Sequence, residues 1–230
     1  MYNEERRLNS DLIIKSLGLT DIVAIDDGSS DGTLTRLKEL SHLSGFKILS
    51  SKKNLGKGNV LQWAFQELLK EIDVSQYEWI GYWDADFSAP IEELVLMISH
   101  SKNIQNCQVV WASRMEKNDA KINRLLVRFV LGRLFNFVSG LLLRHKLYDS
   151  QCGAKIFSPS AAKVAFSSPF ISRWLFDLEI YMRLIKTGEI LVHEYPISRW
   201  SHVKGSKVSL LRDGGKVLVD LVKIRFKYIK

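Results

Sequence analysis

The stretch Ile22-Val-Ala-Ile-Asp-Asp-Gly-Ser-Ser-Asp-Gly-Thr33 decides the fold class. Its first four residues are an uninterrupted apolar, mostly β-branched run, the pattern of a strand buried on both faces. The run gives way to three carboxylates and two glycines, a turn composition, and then to a helical pattern over residues 33–43. The alternation continues downstream with strands at 46–49, 79–83 and 109–112 and helices at 58–72 and 91–99. This predicts an α/β chain whose mostly parallel sheet is flanked by helices. Such sheets bind ligands outside the carboxyl ends of their strands. Chemistry is therefore expected in the loops around residues 26–33, 54–58 and 84–86.

Beyond residue 110 the pattern changes. An apolar and basic segment covers residues 122–146, a short strand is expected at 155–157 and a helix at 175–186, and residues 190–200 read as extended around Pro196. Residues 216–230 are helical by pattern, with Lys216, Asp220, Lys223, Lys227 and Lys230 on one stripe and Val217, Leu221, Ile224 and Tyr228 elsewhere. The rival account of this amphipathic end is ordinary core packing with a charged outer stripe.

Composition excludes disorder and coiled coil: 230 residues with 46% hydrophobic and 25% charged side chains suit one large domain. The net charge of +8 hides an asymmetry. Residues 1–110 hold 11 basic and 16 acidic side chains, and residues 111–230 hold 22 and 9. An acidic half beside a basic one suggests a metal-holding part next to one that meets phosphates, anionic lipid or nucleic acid. Cys107 and Cys152 form no CxxC motif, so a reduced, cytosolic setting is expected. The charge-free apolar stretch 134–143 is about half of the ~20 residues a spanning helix needs. The five histidines form no ligand-spaced cluster.

Asp26, Asp27 and Asp31 sit in a loop that also reads as a capped turn. A calcium loop matches at Asp27, Ser29, Asp31 and Gly32 but fails where Lys38 replaces the closing Glu. Asn54-Leu-Gly-Lys-Gly58 lets backbone approach a ligand and gives Lys57 reach to a phosphate, yet Leu61 stands where a dinucleotide fingerprint needs its third glycine. Trp83-Asp-Ala-Asp86 places two carboxylates two apart at a strand end, where both can face one divalent cation and a diphosphate. Mg2+ or Mn2+ suits such oxygen ligands and keeps positions open for substrate phosphates.

Taken together, Tyr2-Asn-Glu-Glu5, the Ile25 to Thr33 loop, Asn54 to Gly58 and Asp84-Ala-Asp86 resemble the family 2 glycosyltransferases in order and spacing. Asp149-Ser-Gln-Cys-Gly-Ala-Lys155, Arg173-Trp-Leu-Phe-Asp-Leu-Glu179 and Trp200-Ser-His-Val-Lys-Gly-Ser-Lys207 resemble the dolichyl-phosphate glucosyltransferase and mannose synthase branch, nearer the glucosyl type. The resemblance implies a GT-A, Rossmann-like fold over the whole chain, with a nucleotide-sugar half (1–110) and an acceptor half (111–230) carrying interfacial helices. It implies an inverting transfer of a hexose from UDP-glucose or GDP-mannose to polyprenyl or dolichyl phosphate. Tyr2, Glu4, Asp26, Asp27, Lys57 and Asp84 would hold the nucleotide sugar, and Asp86, with Asp84, a Mg2+ or Mn2+ ion that stabilises the leaving diphosphate.

Asp177 stands where the resemblance puts a carboxylate base. A lipid monophosphate is already largely anionic near neutral pH, however, and needs cations that position it more than a base. Arg114, Arg124 and Arg128, with Gln151, are the candidates for that clamp. The acceptor implies peripheral work on the cytoplasmic face of a membrane, with the basic segments meeting lipid headgroups. The family's sequences lead into the Tyr-Asn-Glu-Glu motif with an apolar strand, whereas this chain starts inside the motif at Met1. Either a central strand, and an anchor with it, is then missing, or another segment substitutes for the strand. The alternatives are a family 2 transferase with a polysaccharide or other hydroxyl acceptor, and a non-catalytic basic module that binds nucleic acid or membrane. The second leaves the acidic loops unexplained, so nucleic acid is not expected as a partner.

Overall fold

The apolar run at 22–25 becomes strand β1 (Ile22–Asp26), and it pairs in parallel with β2 (Phe46–Ser50) in the register Ile22 to Phe46 and Asp26 to Ser50. The computed structural model describes residues 1–115, 121–123, 126–201 and 210–229. Helices α1 (Ser10–Leu17) and α2 (Thr33–Lys38) bury Leu8, Ile13, Leu37 and Leu40 against this pair. The helix expected over 33–43 is shorter because i to i+3 bonds from Leu40 and Ser41 tighten its end and turn Leu40 into the core. The short α1 was not legible as a periodic window. It is started by Asn9, whose side-chain oxygen accepts the Leu12 amide at 3.1 Å.

A second sheet has the order β3 (Ile80–Trp83), β6 (Ala154–Phe157), β4 (Val109–Ser113), β7 (His193–Pro196). β4 and β7 are parallel, but β6 runs antiparallel to both of its neighbours. The sheet is thus more mixed than the helix-strand alternation predicts, because β6 is not part of that alternation. Strand periodicity sorts its residues: Ala154 and Ile156 face one core with Val110, Ala112 and Met97 of α4 (Glu93–Lys102). Phe157 faces the other core, under α3 (Lys57–Glu71), α6 (Pro159–Ala165) and α7 (Phe176–Lys186), where the Phe65 and Phe166 rings stack at 3.7 Å. A parallel pair, β5 (Lys121–Asn123) and β8 (Arg199–Ser201), forms a third small sheet.

Two long helices complete residues 111–230. α5 (Leu126–Leu143) and α8 (Leu210–Tyr228) pack on each other and on α7 through Leu143, Leu178, Leu221 and Ile224. Among the described residues, no helix is long and apolar enough to cross a membrane.

β1 and β3 lie in different sheets, and between them opens a cleft of about 1220 Å³. Val23, Ile25, Ile80 and Tyr82 are among its wall residues. The Tyr77 hydroxyl donates to Asp21 Oδ2 at 2.9 Å, tying the segments that lead into the two strands. At the other end, the Asp27 amide donates to the Met1 carbonyl and the Met1 amino group to the Ile25 carbonyl, the hydrogen-bond pattern of a parallel bridge.

Glu93 fastens α4 to the turn between β7 and β8. Its side chain is buried, and Oε1 accepts the amides of Ser198 and Arg199 at 3.0 and 3.2 Å and the Ser198 hydroxyl. Glu93→Ala strands these donors and is expected to lower the unfolding free energy by about 2 to 3 kcal/mol. Urea denaturation checks this; an unchanged midpoint contradicts it.

Candidate active site

The cleft collects predicted side chains from the N-terminal segment, the segments that follow β1, β3 and β4, the loop before β6 and the first turns of α3 and α7. Tyr2, Glu4, Asp27, Lys57, Asp84 and Asp86 line it from residues 1–110, and Arg114, Gln151 and Asp177 from residues 111–230. Asp26 is not among its lining residues. It is buried and accepts the Ser29 amide at 3.3 Å and the Ser50 hydroxyl at 2.9 Å, which shapes the turn. Arg124 lies outside the described residues, as does the side chain of Arg128.

Asp27 organises the first loop. Oδ1 accepts the Leu55 amide at 2.7 Å and Oδ2 the Gly56 amide at 2.9 Å, so one carboxylate joins the end of β1 to the start of α3. Gly56 has φ +83°, a left-handed conformation that suits glycine, and a Cβ there would collide with the Arg173 guanidinium. This geometry sets Lys57 on the first turn of α3. The Lys57 ammonium pairs with Asp84 and lies 5.6 Å from the centre of the Phe176 ring. Desolvation by the cleft walls works against its charge, but the carboxylates of Asp84 and Asp177 outweigh it and raise its pKa.

Asp84 and Asp86 follow β3. Arg7 reaches both Glu4, at 3.1 Å, and Asp86, at 3.4 Å. The Asp84 amide donates to the Gly153 carbonyl at 2.7 Å, and a Cβ on Gly153 would fall on the Asp84 carboxylate. Among the described residues, no three His, Cys, Asp or Glu side chains are grouped to hold a metal by themselves. Asp84 and Asp86 nevertheless keep 36% and 26% of their side-chain surface exposed, while Asp27, Asp149 and Asp177 are buried. Two accessible hard-oxygen ligands fit a Mg2+ or Mn2+ ion whose remaining positions go to substrate phosphates and water.

After β4, Arg114 grips Asp149 in a fork: Nε donates to Oδ2 at 2.6 Å and Nη2 to Oδ1 at 2.8 Å. The Arg114 guanidinium lies 5.2 Å from the centre of the Trp200 ring. Glu194 on β7 holds the Tyr148 and Asp149 amides at 2.6 and 2.8 Å and so fixes the fork from behind. Burial alone would raise the Asp149 pKa; the Arg114 charge and hydrogen bonds override it and bring it down to about 2.

Asp177, on the first turn of α7, is buried, and its Oδ1 accepts both the Lys155 ammonium, at 2.7 Å, and the Tyr82 hydroxyl. Lys155 has no exposed surface. Its ammonium also donates to the Cys152 carbonyl at 2.5 Å and lies 4.5 Å from the centre of the Trp111 ring. Burial first, then the Asp177 charge, push the Tyr82 pKa well above its usual value, so the phenol remains a donor. Removing the Asp177 charge would leave a fully buried ammonium without its counter-ion, which costs about 3 to 5 kcal/mol.

Sequence reasoning gave no role to Lys155, Gly153, Arg7 or Arg173. A lysine inside the otherwise apolar run Ala154-Lys-Ile-Phe157 was the available signal for the first.

The chain is similar to known proteins over most of its length. The profile described as Glycosyl transferase family 2 matches residues 2–166. A dolichyl-phosphate beta-glucosyltransferase of Dictyostelium discoideum is 29% identical over 99% of this chain and 72% of its own length. The Saccharomyces cerevisiae protein of the same name is 30% identical over 91% and 65%, and the Homo sapiens one 26% over 99% and 74%. Among solved structures, glucosyl-3-phosphoglycerate synthase from Mycobacterium tuberculosis with Mn2+ and UDP-glucose superposes with a TM-score of 0.69. It shares 16% identity over 98% of this chain and 77% of that one, a likeness of fold.

Two outcomes are expected. Asp149 has its ordinary value of 3.8 when unfolded and about 2 when folded. Its contribution, about 2 kcal/mol, is therefore complete above pH 4 and lost as pH falls through 2. Thermal midpoints of the wild type should fall more steeply over that window than those of Asp149→Asn; parallel curves contradict the pairing. A Cβ at Gly153 should push Asp84 aside; with Asp84 in the nucleotide-sugar role that the family resemblance implies, Gly153→Ala should weaken that binding about tenfold, the loss of one charged contact. The circular dichroism spectrum should not change. Titration with UDP-glucose reads this, and unchanged affinity contradicts it.

Proposed function

The chain belongs to glycosyl transferase family 2, and we propose that it transfers glucose, with inversion, from UDP-glucose to a polyprenyl phosphate such as dolichyl phosphate. The observation that carries the acceptor class is the state of Asp177. The carboxylate at the position of a base has one oxygen committed to a buried lysine and a tyrosine. A hydroxyl nucleophile needs a proton acceptor in the transition state. A lipid phosphate brings its own negative charge and needs none. The names of the relatives in Dictyostelium, yeast and human support the same acceptor and sugar.

In this reading the nucleoside lies along Tyr2 and Glu4, and the diphosphate lies at Lys57. Asp86 and Asp84 would hold a Mg2+ or Mn2+ ion, which when bound stabilises the charge that builds on the departing diphosphate. Lys57 exchanges Asp84 for donor phosphate oxygens and keeps its proton throughout. Arg114, rigid in its fork with Asp149, orients the acceptor phosphate, whose oxygen attacks the sugar carbon in line with the leaving group. The Trp200 ring flanks the guanidinium.

Purified protein supplied with UDP-glucose, Mn2+ and a short polyprenyl phosphate should form a lipid-linked glucose. Arg114→Ala should weaken acceptor use tenfold to a hundredfold, about 1.5 to 3 kcal/mol for a charge-assisted contact, with little effect on donor affinity. Asp86→Asn should nearly abolish transfer. Transfer to a sugar hydroxyl in place of the lipid, or equal loss of donor and acceptor binding in Arg114→Ala, contradicts the proposal.

A further inference from the structure

We propose that contact of α8 with an anionic lipid bilayer, which the interfacial reading of this helix implies, is relayed to the cleft through the hydrogen bond between Asp220 and Ser172. The outer face is unusual for a surface helix. Leu218, Val219, Val222 and Phe226 are 53%, 53%, 43% and 80% exposed. At 100° per residue these four span an arc of about 100°. Lys216, Lys223 and Lys227 border that arc on one side and Arg225 on the other, which is the layout of a helix lying in a headgroup region. Lys227 and Arg225 also donate inward, to Glu179 and to the Leu142 carbonyl, so Lys216 and Lys223 are the main cations that select a negatively charged surface. α5, packed beside α8, leaves a second apolar stripe exposed at Val130, Leu134, Phe137 and Leu141.

The inner face of the same helix carries polar groups that reach the loop at 171–175. Asp220 is buried and accepts the Ser172 hydroxyl at 2.7 Å. The Ser172 oxygen in turn accepts the amides of Trp174 and Leu175 at 3.3 and 3.2 Å. About two turns farther along, Tyr228 donates to Glu179 Oε1 at 3.0 Å, and Glu179 Oε2 accepts the Ile171 amide at 2.8 Å. The loop is thus fastened to α8 directly at Ser172 and, by way of Glu179 on α7, at Ile171. Next to those fastenings Arg173 donates to Asn54 beside Gly56, and Trp174 lines the cleft. A helix stabilised by lipid on its outside orders this loop from the inside, and the nucleotide-sugar site is more often complete on a membrane than in bulk water. The consequence for the donor rests on the function proposed above. Docking and loop order do not.

Three readings on the full chain test this. The protein is sedimented with vesicles of phosphatidylcholine containing phosphatidylserine and with vesicles of phosphatidylcholine alone. Amide exchange of residues 171–175 is followed with and without the anionic vesicles. UDP-glucose is titrated under both conditions in the absence of polyprenyl phosphate. The wild type should bind the anionic vesicles in preference, and Phe226→Ser should not. Exchange at 171–175 should slow on the vesicles and the Kd for UDP-glucose should fall about fivefold or more, the lower end of ordinary coupling. Ser172→Ala should still bind vesicles but lose both responses; Asp220→Asn, which keeps the side-chain size, serves if that variant does not fold. Equal binding to both vesicle types, or full binding by Phe226→Ser, overturns the docking face. Vesicle binding without slower exchange, or responses that persist without the Ser172 link, overturns the relay. If UDP-glucose does not bind under either condition, the proposed function fails while vesicle binding and exchange still decide this inference.

Discussion

An ammonium group with no exposed surface stands in the middle of the second sheet, and the cleft is built around the need to satisfy it. Lys155 sits on β6 between β3 and β4, where water is excluded, and the cost of removing such an ion from water is several kcal/mol before compensation. Compensation comes from every side: Asp177 from α7, the Cys152 carbonyl from the preceding loop, and the Trp111 and Tyr82 rings from the flanking strands. These contacts set the register of β6 and the position of the first turn of α7. They also fix the loop at 152–153, on whose glycine the Asp84 carboxylate rests. The placement of the acidic strand end thus depends on a lysine on the neighbouring strand.

The same principle of paired charge runs through the cleft. Lys57 meets Asp84, Arg7 bridges Glu4 and Asp86, and Arg114 is locked on Asp149. The pairs differ in how firmly they hold. Asp149 and Asp177 are buried and bound by several groups, whereas Asp84 and Asp86 remain partly exposed. A polyanionic donor with its cation can exchange partners at the exposed pairs, and the buried pairs supply a frame that does not move. Chemistry that requires a carboxylate to take a proton is ill served by the buried set. Chemistry that requires fixed positive charge beside an anionic nucleophile is well served.

Much of this was legible in the sequence because it rests on local rules. The strand runs at 22–25, 79–83 and 109–112, and the glycine and aspartate loops that follow the first two, are short-range signals, and the structure gathers those loops at one cleft. What stayed hidden depends on contacts between distant segments. The antiparallel return of β6, the Glu194 to Asp149 to Arg114 support and the fastening of the loop at 171–175 by Asp220 join residues that no periodicity relates. Asp26 and Asp27 illustrate the limit. Adjacent in one motif, they diverge in space, and Asp26 shapes the turn while Asp27 holds two amides of the next loop.

The claim that Asp177 serves Lys155, and that the nucleophile therefore carries its own charge, is open to a direct measurement. In Lys155→Met/Asp177→Asn the buried ion pair is removed as a unit, so the fold need not tolerate a lone buried charge. The rate of glucose transfer to polyprenyl phosphate by this doubly substituted, folded protein is the quantity to determine. The account predicts a rate within about tenfold of the wild type, against the 10²- to 10⁴-fold loss expected when a general base is deleted. A folded double variant whose transfer rate falls by the latter amount would contradict it.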